Sequence, residues 1–181
     1  MKKNRRMKKI LLVISILLAS IIVFTGCGNG KKEKEDKSYL DPINSMIIAL
    51  QDRDVDEYLK TLPSEYQKKM EENYSNYKSL LKTQVLDRLY QSLENSYGKI
   101  KKISYEEIEK EKVSAEEFKE EEDYYKNLLG DDADENKTYI TEGYKVKVKI
   151  KVTTEDNEDN EEEMNLYVYK LNDKWYLSVS H

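Results

Sequence analysis

The chain of 181 residues has few of the residue types on which many catalytic and metal sites depend: one cysteine, one histidine and one tryptophan. A single cysteine excludes an intramolecular disulfide. The single histidine, His181, is the last residue of the sequence, and chain ends tend to be poorly ordered. Because a general base must be held within hydrogen-bond reach of its proton, we predict neither a histidine-based catalytic site nor a histidine-based metal site.

The glycines and serines show no catalytic spacing either. The six glycines do not form a phosphate-cradling loop, and no serine lies in a nucleophile elbow. The 36 acidic residues are too evenly distributed for one pair to stand out as general acid and base. The sequence therefore predicts a non-enzymatic protein without a cofactor, while a cavity enzyme that uses carboxylates stays open as an alternative.

The amino-terminal segment carries the most specific pattern. Six basic residues lie within positions 1–9, and the apolar run Ile10 to Phe24 follows, interrupted only by two serines and succeeded by Thr25, Gly26 and Cys27. A basic start, an apolar middle and a small-residue exit are typical of a secretory signal peptide. With cysteine at its end, the segment resembles the lipobox of bacterial lipoproteins, although Phe24 stands where leucine is usual.

This resemblance implies cleavage between Gly26 and Cys27 and a diacylglyceryl group on the Cys27 sulfur. Two acyl chains give stable membrane anchoring. The alternative is an uncleaved membrane span, but the run of 15 residues is shorter than the about 20 that a span needs. Because basic flanking residues stay cytoplasmic, we expect a lipid-anchored protein at the cell membrane that faces outside the cytoplasm.

The charge of the remaining chain bears on its partners. Without residues 1–26 the chain has 25 basic and 36 acidic residues, a formal net charge of −11. Nucleic-acid binders carry basic patches, so the sequence predicts no nucleic-acid partner. The expected partners are the membrane, through Cys27, and a protein or small molecule that the sequence does not identify.

The chain divides into a signal peptide (1–26), a lipidated cysteine with a flexible linker (27–40) and a single domain (41–181). Residues 28–38 contain nothing apolar to bury and are predicted to be flexible. Asp41-Pro42 is a helix-start signal, Asp54 indicates a second cap or a kink, and Pro63 ends this helical segment.

Ser64 to Tyr97 has apolar residues every three or four positions, which predicts a long helix. We expect a capping box of Ser64 with Gln67 and a bend near Tyr74 to Lys78. The apolar stripe fits a helix laid on a sheet, and a partner helix in a structural or assembly protein is the alternative.

The second half of the chain has strand patterns. Tyr144 to Val152 alternates apolar residues with lysines, which places one face on a core and one in water. Ser114 and Glu117 form a capping box before a short helix that ends at Gly130, Glu155 to Glu163 reads as a loop, and Asn172-Asp173 is a tight turn. The other predicted strands are Ile100–Glu109, Met164–Leu171 and Trp175–Val179.

Helices followed by an antiparallel meander predict an α+β fold. The early segment Ala49 to Tyr58 and the ending Leu171 to Leu177, in which a polar turn precedes Trp175-Tyr176-Leu177, resemble the nuclear transport factor 2-like (cystatin-like) superfamily. The resemblance implies amino-terminal helices packed on a curved, cone-like antiparallel sheet around a cavity. The chain differs from the enzymatic members of that superfamily because it has no histidine inside the domain.

Two candidate sites follow. We expect a ligand on the concave sheet face, lined by Tyr144, Val146, Tyr167, Tyr169 and Trp175, although each of these could equally belong to the core. Asp132, Asp134 and Asn136 alternate as at the start of a calcium loop, but Lys137 and Gly143 stand where an EF-hand needs glycine and glutamate. A solvated acidic turn is therefore the prediction, and no metal is assigned.

Overall fold

The computed structural model describes residues 36–134 and 136–178. It is an α+β fold, as the sequence predicts. The helices are α1 (Asp41–Asp52), α2 (Val55–Leu59), α3 (Ser64–Asn73), α4 (Tyr77–Leu80), α5 (Asp87–Tyr97) and α6 (Ala115–Leu129), with 3-10 turns at Ser38–Leu40 and Gly130–Asp132 and a π-helical segment at Leu81–Leu86. The strands are β1 (Ile100–Lys112), β2 (Ile140–Thr154), β3 (Asp159–Leu171) and β4 (Lys174–Leu177).

The four strands form one antiparallel sheet in the order β1-β2-β3-β4, curled into a half-barrel. The register between β1 and β2 shifts at two places, near Ile100 and near Glu107. Such bulges bend a strand and increase its twist, so they contribute to the curl. Asn172 and Asp173 join β3 to β4 with φ values of 49° and 64°, which confirms the tight turn.

One face of the sheet, the apolar face, is defined by the alternate β2 residues from Tyr144 to Val152. Val146 and Val148 are fully buried there in a core cluster that includes Ile43 of α1. Further along the same face, residues of α1 and α5 pack against Ile103 and Val152. Full burial of an aliphatic side chain stabilises by about 1.5–3 kcal/mol, so the helices are held on the sheet by this alternation.

The opposite face, the lysine face, is defined by Lys145, Lys147, Lys149 and Lys151. Three of these lysines reach diagonally to carboxylates of β3, with Nζ–O distances of 2.8, 3.5 and 2.7 Å; the pairs are Lys147–Glu163, Lys149–Glu161 and Lys151–Asp159. Exposed pairs of this kind contribute at most about 1 kcal/mol each. Their regular spacing favours one register of the hairpin.

Helix α6 covers the other end of the lysine face. Its Tyr125 lies in a cluster with Ile140, Tyr169, Leu171 and Tyr176 of the sheet. The helix begins with the predicted capping box, since the Ser114 side chain accepts from the Glu117 amide and Glu117 accepts from the Ser114 amide. The sheet therefore carries helices on both faces.

The long helix predicted over Ser64 to Tyr97 is interrupted. α3 ends at Asn73, Tyr74 is extended (φ −140°, ψ 104°), and α4 begins at Tyr77, which confirms the bend. The predicted Ser64–Gln67 capping box is wrong. Pro63 is the N-cap, and Nε2 of Gln67 instead donates to the Leu59 and Leu62 carbonyls at 2.8 and 3.0 Å. The turn before Pro63 brings both carbonyls within reach of this side chain, and the Leu59 carbonyl also accepts from the Leu62 amide at 3.1 Å.

The loop predicted over Glu155 to Glu163 is wrong in its second half, since β3 already begins at Asp159. The chain reverses within residues 155–158, where the Thr154 amide donates to the Glu158 carbonyl at 2.9 Å. The prediction failed because the start of β3 has carboxylates, which face lysines of β2, and lacks the apolar residues by which strands are usually recognised. Asp54, by contrast, caps α2 as predicted, with its Oδ1 accepting from the amides of Asp56 and Glu57.

Within the described residues, no helix combines the length and the apolar character that crossing a membrane requires.

Candidate functional site

An aromatic cluster joins the start of the described fold to the sheet. It consists of Tyr39 in the first 3-10 turn, Tyr144 on β2 and Trp175 on β4. The ring centroid of Tyr144 lies 5.5 Å from that of Tyr39 and 5.3 Å from that of Trp175. Nζ of Lys110 lies 4.4 Å from the Tyr39 centroid and 5.0 Å from the Tyr144 centroid. Aromatic and cation–π attraction therefore hold the turn on the apolar face.

Glu107 ties the same turn to β1. Its Oε1 accepts from the Tyr39 hydroxyl at 2.5 Å, and its Oε2 accepts from Nζ of Lys37 at 2.9 Å. Partial burial acts to raise the pKa of Glu107, but the two hydrogen bonds and the Lys37 charge outweigh it and hold the pKa below its usual range. Tyr39 is only 2% exposed, although it lies within the linker predicted for residues 27–40.

A groove opens beside this aromatic cluster, with a volume of about 280 Å³. It lies between the start of α1, the residue after α2 and the β3–β4 turn. This volume is near the lower end of ligand pockets, which span about 300–1,000 Å³. The lining is Ser38, Asp41, Pro42, Ser45, Lys60, Asp173, Lys174 and Trp175. We call it the Trp175 groove.

The Trp175 groove carries charges of both signs. The Lys60 ammonium donates to the Glu57 carboxylate, and this hydrogen bond raises the pKa of Lys60. Lys174 also borders the groove, but its Nζ lies 5.2 Å from the ring centroid of Tyr176, a residue of the α6 cluster, so its ammonium lies on the other side of β4 from Trp175. Within residues 36–134 and 136–178, the carboxylates of Asp41 and Asp173 form no hydrogen bond and no ion pair.

Trp175 lines the groove and carries one hydrogen-bond donor, its indole N–H. Its side chain is 7% exposed, and the indole N–H donates to no acceptor in the described part of the chain. No polar side-chain atom fully buried in that part lacks a partner. The indole nitrogen therefore lies in the small exposed portion of the ring.

A second cavity, beneath α6, is too small for a ligand. Its volume is about 20 Å³, room for about one water molecule. Glu121, on its wall, accepts from the Ser178 hydroxyl at 2.6 Å. The neighbouring buried Glu122 accepts from the backbone amides of Tyr139 and Ile140. These buried carboxylates thus satisfy structural donors.

Two tyrosines of this cavity have strongly shifted titration. Burial, and then the charge of Glu65, raise the pKa of Tyr125. Burial, and then the charge of Glu121, raise the pKa of Tyr169. The Tyr169 hydroxyl donates to the Glu117 carbonyl at 3.4 Å.

The structure divides the five predicted lining residues between the two faces of the sheet. Tyr144, Val146 and Trp175 belong to the cluster on the apolar face, whereas Tyr167 and Tyr169 belong to the α6 cluster on the lysine face. Val146 is fully buried and Tyr169 is 3% exposed. The five side chains do not line one cavity, and only Trp175 reaches the groove.

In the acidic turn that contains Asp132, Asp134 and Asn136, the hydrogen bonds of Asp134 stay within the turn and the residues next to it. Oδ1 of Asp134 accepts from the Asn136 amide at 2.9 Å, and the Asp134 amide donates to the Tyr139 hydroxyl. Among the described residues, no group of three His, Cys, Asp or Glu is close enough to hold a metal ion. Cys27, most of the linker, Val179 and His181 lie outside the described residues.

Sequence reasoning missed most of the groove. Asp41, Lys60 and Asp173 were assigned to a helix start, to a helical segment and to a turn, because each fits its local pattern. The available signal was the tight turn itself, because Asp173 lies in it and Trp175 follows two residues later, at the same end of the sheet.

In comparisons with known proteins, no family model, no curated protein and no solved structure matches this chain.

Proposed function

We propose that this protein is a membrane-anchored, extracytoplasmic lipoprotein whose domain works as a non-enzymatic binding module. The Trp175 groove is the proposed binding site. The observation that carries the proposal is the combination, in one groove of about 280 Å³, of two exposed carboxylates that no described residue pairs, Asp41 and Asp173, with the side chains of Lys60 and Trp175. Polar groups arranged in this way are typical of a recognition surface.

The position of the groove relative to Cys27 supports the proposal. Ser38 lines the groove and lies eleven residues after Cys27, and eleven extended residues span at most about 36–40 Å. A domain attached through two acyl chains on Cys27 would therefore hold the groove within this distance of the membrane surface.

Binding fits the groove better than catalysis. A general acid and base must be positioned at the reacting atoms, in a site from which water is excluded. Asp41 and Asp173 are exposed side chains on an open groove. The buried carboxylates Glu121 and Glu122 are engaged by structural donors, so they do not form a catalytic pair.

We also propose, as a finer description of the fold, the cone-like arrangement of the nuclear transport factor 2-like superfamily. Support comes from the order of elements, with helices before a curled antiparallel sheet. Because the interior beneath α6 is tightly packed, we propose the Trp175 groove as the binding site and not the inside of the cone.

The alternative role in assembly rested on the apolar stripe of Ser64 to Tyr97. Much of this stripe packs within the domain, where Leu81 is 6% exposed and Leu86 fully buried. Tyr74, at 55% exposure, and Leu89, at 40%, are exposed residues of that stripe, and they lie far apart along it. Exposed apolar residues that are scattered singly are normal on protein surfaces, so the assembly role is not the one we propose.

Native mass spectrometry tests the binding function. The full chain is extracted from the membranes of its own host in mild detergent, and its native and denatured masses are compared. We expect an additional discrete mass in the native spectrum that is lost on denaturation and is reduced in Asp173→Asn but not in Asp156→Asn, a change of an equally acidic turn residue outside the groove. A bare chain at every detergent and salt condition would contradict the proposal.

A further inference from the structure

We propose that the outer edge of β1 binds an extended, cationic segment of a partner protein, which adds to the sheet as a fifth strand. β1 and β4 lie at opposite ends of the strand order. This site is therefore separate from the Trp175 groove and does not depend on the function proposed for that groove. We call the stretch from Tyr105 to Lys112 the β1 edge.

The backbone of the β1 edge has amides that point away from the sheet. The Ile103 amide donates to Oε1 of Gln51 of α1 at 2.6 Å, so it points away from β2, whereas the Val113 amide donates to the Gly143 carbonyl of β2 at 3.2 Å. Outward and inward amides alternate along an antiparallel strand, and the bulge near Glu107 shifts the alternation by one residue. The outward amides beyond Ile103 include those of Tyr105, Glu107 and Lys112. Within residues 36–134 and 136–178, none of these three amides donates to an acceptor.

The charges on the lysine face alternate from strand to strand, with carboxylates on β3, lysines on β2 and carboxylates again on β1. The β1 carboxylates lie opposite β2 lysines, in the pairs Glu106–Lys149, Glu109–Lys147 and Glu111–Lys145. Lys147 and Lys149 reach instead to β3, and only Lys145 contacts its β1 neighbour, at 3.4 Å.

Two carboxylates of the β1 edge are consequently left over. Glu106 and Glu109 are exposed, and their side chains form no hydrogen bond and no ion pair with the part of the chain that the structure describes. A strand of lysines or arginines beside β1 would continue the alternation of charge, and opposite charges on neighbouring strands stabilise their pairing. Charge complementarity therefore favours a cationic segment.

Ile108 gives the partner an apolar contact. It lies at the bulge, between Glu107 and Glu109, and is 43% exposed. In strand addition, main-chain hydrogen bonds supply affinity and alternate side chains supply specificity. A segment that alternates basic with aliphatic residues offers partners both to the two free carboxylates and to Ile108.

A second copy of the chain fits the β1 edge less well. The edge contains four glutamates and two lysines, and the chain without residues 1–26 has a formal net charge of −11, so pairing two copies would bring two acidic edges together. Bulges also hinder the pairing of one sheet edge with another. A flexible segment can follow the bend that the bulge makes.

A peptide with the sequence of β2 tests the proposal. The probe is fluorescein-labelled, C-terminally amidated Lys-Val-Lys-Val-Lys-Ile-Lys-Val, the sequence of residues 145–152, which pair with the inner edge of β1. One control peptide, Lys-Lys-Lys-Lys-Val-Val-Ile-Val, keeps the composition and charge without the alternation. A second control has glutamates in place of the lysines. Each is titrated with the full chain in mild non-ionic detergent, and binding is measured by fluorescence anisotropy.

We expect saturable binding of the alternating peptide, at least tenfold weaker binding of the block peptide, and no binding of the acidic peptide. Glu106→Gln combined with Glu109→Gln is expected to weaken binding about fivefold, because each exposed ion pair contributes modestly. Glu155→Gln combined with Glu158→Gln is the matched control. It removes two carboxylates from the β2–β3 turn of the same sheet and is expected to bind as the parent chain does.

Amide hydrogen exchange, measured for each residue by NMR on the same full chain, tests whether the peptide binds as a strand. At saturating peptide, we expect at least tenfold slower exchange at Tyr105 and Glu107, whose amides point outward. Exchange at Ser104 and Glu106 should change little, because their amides point toward β2.

Four results would each overturn the proposal: no saturable binding, equal binding of the block peptide, unchanged binding by the variant of Glu106 and Glu109, or unchanged exchange at Tyr105 and Glu107. Slow exchange at these two amides without peptide, increasing with chain concentration, would assign the β1 edge to a second copy and would overturn it as well.

Discussion

The hydroxyl group of Tyr39 donates a hydrogen bond of 2.5 Å to Oε1 of Glu107, 68 residues further along the chain. Lys37 donates to the second oxygen of the same carboxylate at 2.9 Å. Through this pair, the turn that follows the linker is fixed to β1 before α1 begins. The point at which the proposed tether meets the domain is therefore part of the core.

The first prediction concerns the contribution of Tyr39 to stability. Tyr39→Phe removes the hydrogen bond to a carboxylate but keeps the ring, and we expect a loss of about 1.5–3 kcal/mol in the free energy of unfolding. Tyr39→Ala also removes the packing on Tyr144 and Trp175, and we expect about 3–5 kcal/mol. Urea unfolding of the 31–181 fragment measures both. Equal losses in the two variants would mean that ring packing contributes nothing.

The second prediction concerns pH. Because the pKa of Glu107 is lowered in the folded state, its ionised form contributes stability that is fully present above the unfolded pKa of about 4.3. That contribution is lost as the pH falls through the folded value. The stability difference between the parent and Tyr39→Phe should be constant from about pH 7 to 5 and shrink below about pH 4.3. Urea unfolding across this range checks it, and a difference that grows toward low pH would contradict it.

The third prediction compares the two faces of β2. Val148→Ala removes a fully buried side chain and should lower the free energy of unfolding by about 2 kcal/mol. Lys149→Ala, the next residue, removes an exposed ion pair with Glu161 and should lower it by about 1 kcal/mol or less. Added salt should reduce the loss in the free energy of unfolding caused by Lys149→Ala, because salt screens the ion pair. It should not change the loss caused by Val148→Ala. Similar losses in both variants would mean that β2 does not present its faces as described.

The fourth prediction concerns the close approach of Gly143 to the α6 cluster. A Cβ atom at Gly143 would lie 2.7 Å from Cδ1 of Tyr169 and 2.7 Å from Cγ2 of Val113. Both side chains are packed, so Gly143→Ala should lower the free energy of unfolding by about 1–3 kcal/mol through overpacking. Gly98→Ala is a useful comparison because a Cβ there meets nothing within 4 Å, although its φ of 102° gives it a backbone cost. If neither Tyr169→Leu nor Val113→Ala, alone or combined, relieves the Gly143→Ala effect, the loss does not come from overpacking against these two side chains.

The sequence predicts the fold class and most elements because their signals are local. The alternation of Tyr144 to Val152, the capping box at Ser114 and the turn at Asn172-Asp173 each depend on residues close together in the chain. The π-helical segment at Leu81–Leu86 was not predictable in this way, because its apolar spacing is also compatible with an α-helix.

The candidate site was harder to predict because it depends on strand register. Val168 is paired with Tyr144, so Tyr167 and Tyr169 point to the face opposite Tyr144. A shift of one residue in the hairpin would have reversed this, and the shift is decided by the length of the β2–β3 turn. The length of that turn could not be predicted, because the start of β3 is acidic. Its carboxylates pair with lysines, so this part of the strand has no apolar residues that would mark it as a strand.

The measurement that tests the central claim most directly is the intact mass of the full chain after extraction from host membranes, with Cys27→Ala as the comparison. The account predicts a chain that has lost residues 1–26 and carries a diacylglyceryl group on Cys27, and it predicts that Cys27→Ala is not lipidated. A chain that keeps residues 1–26 and an unmodified Cys27 thiol would contradict the account.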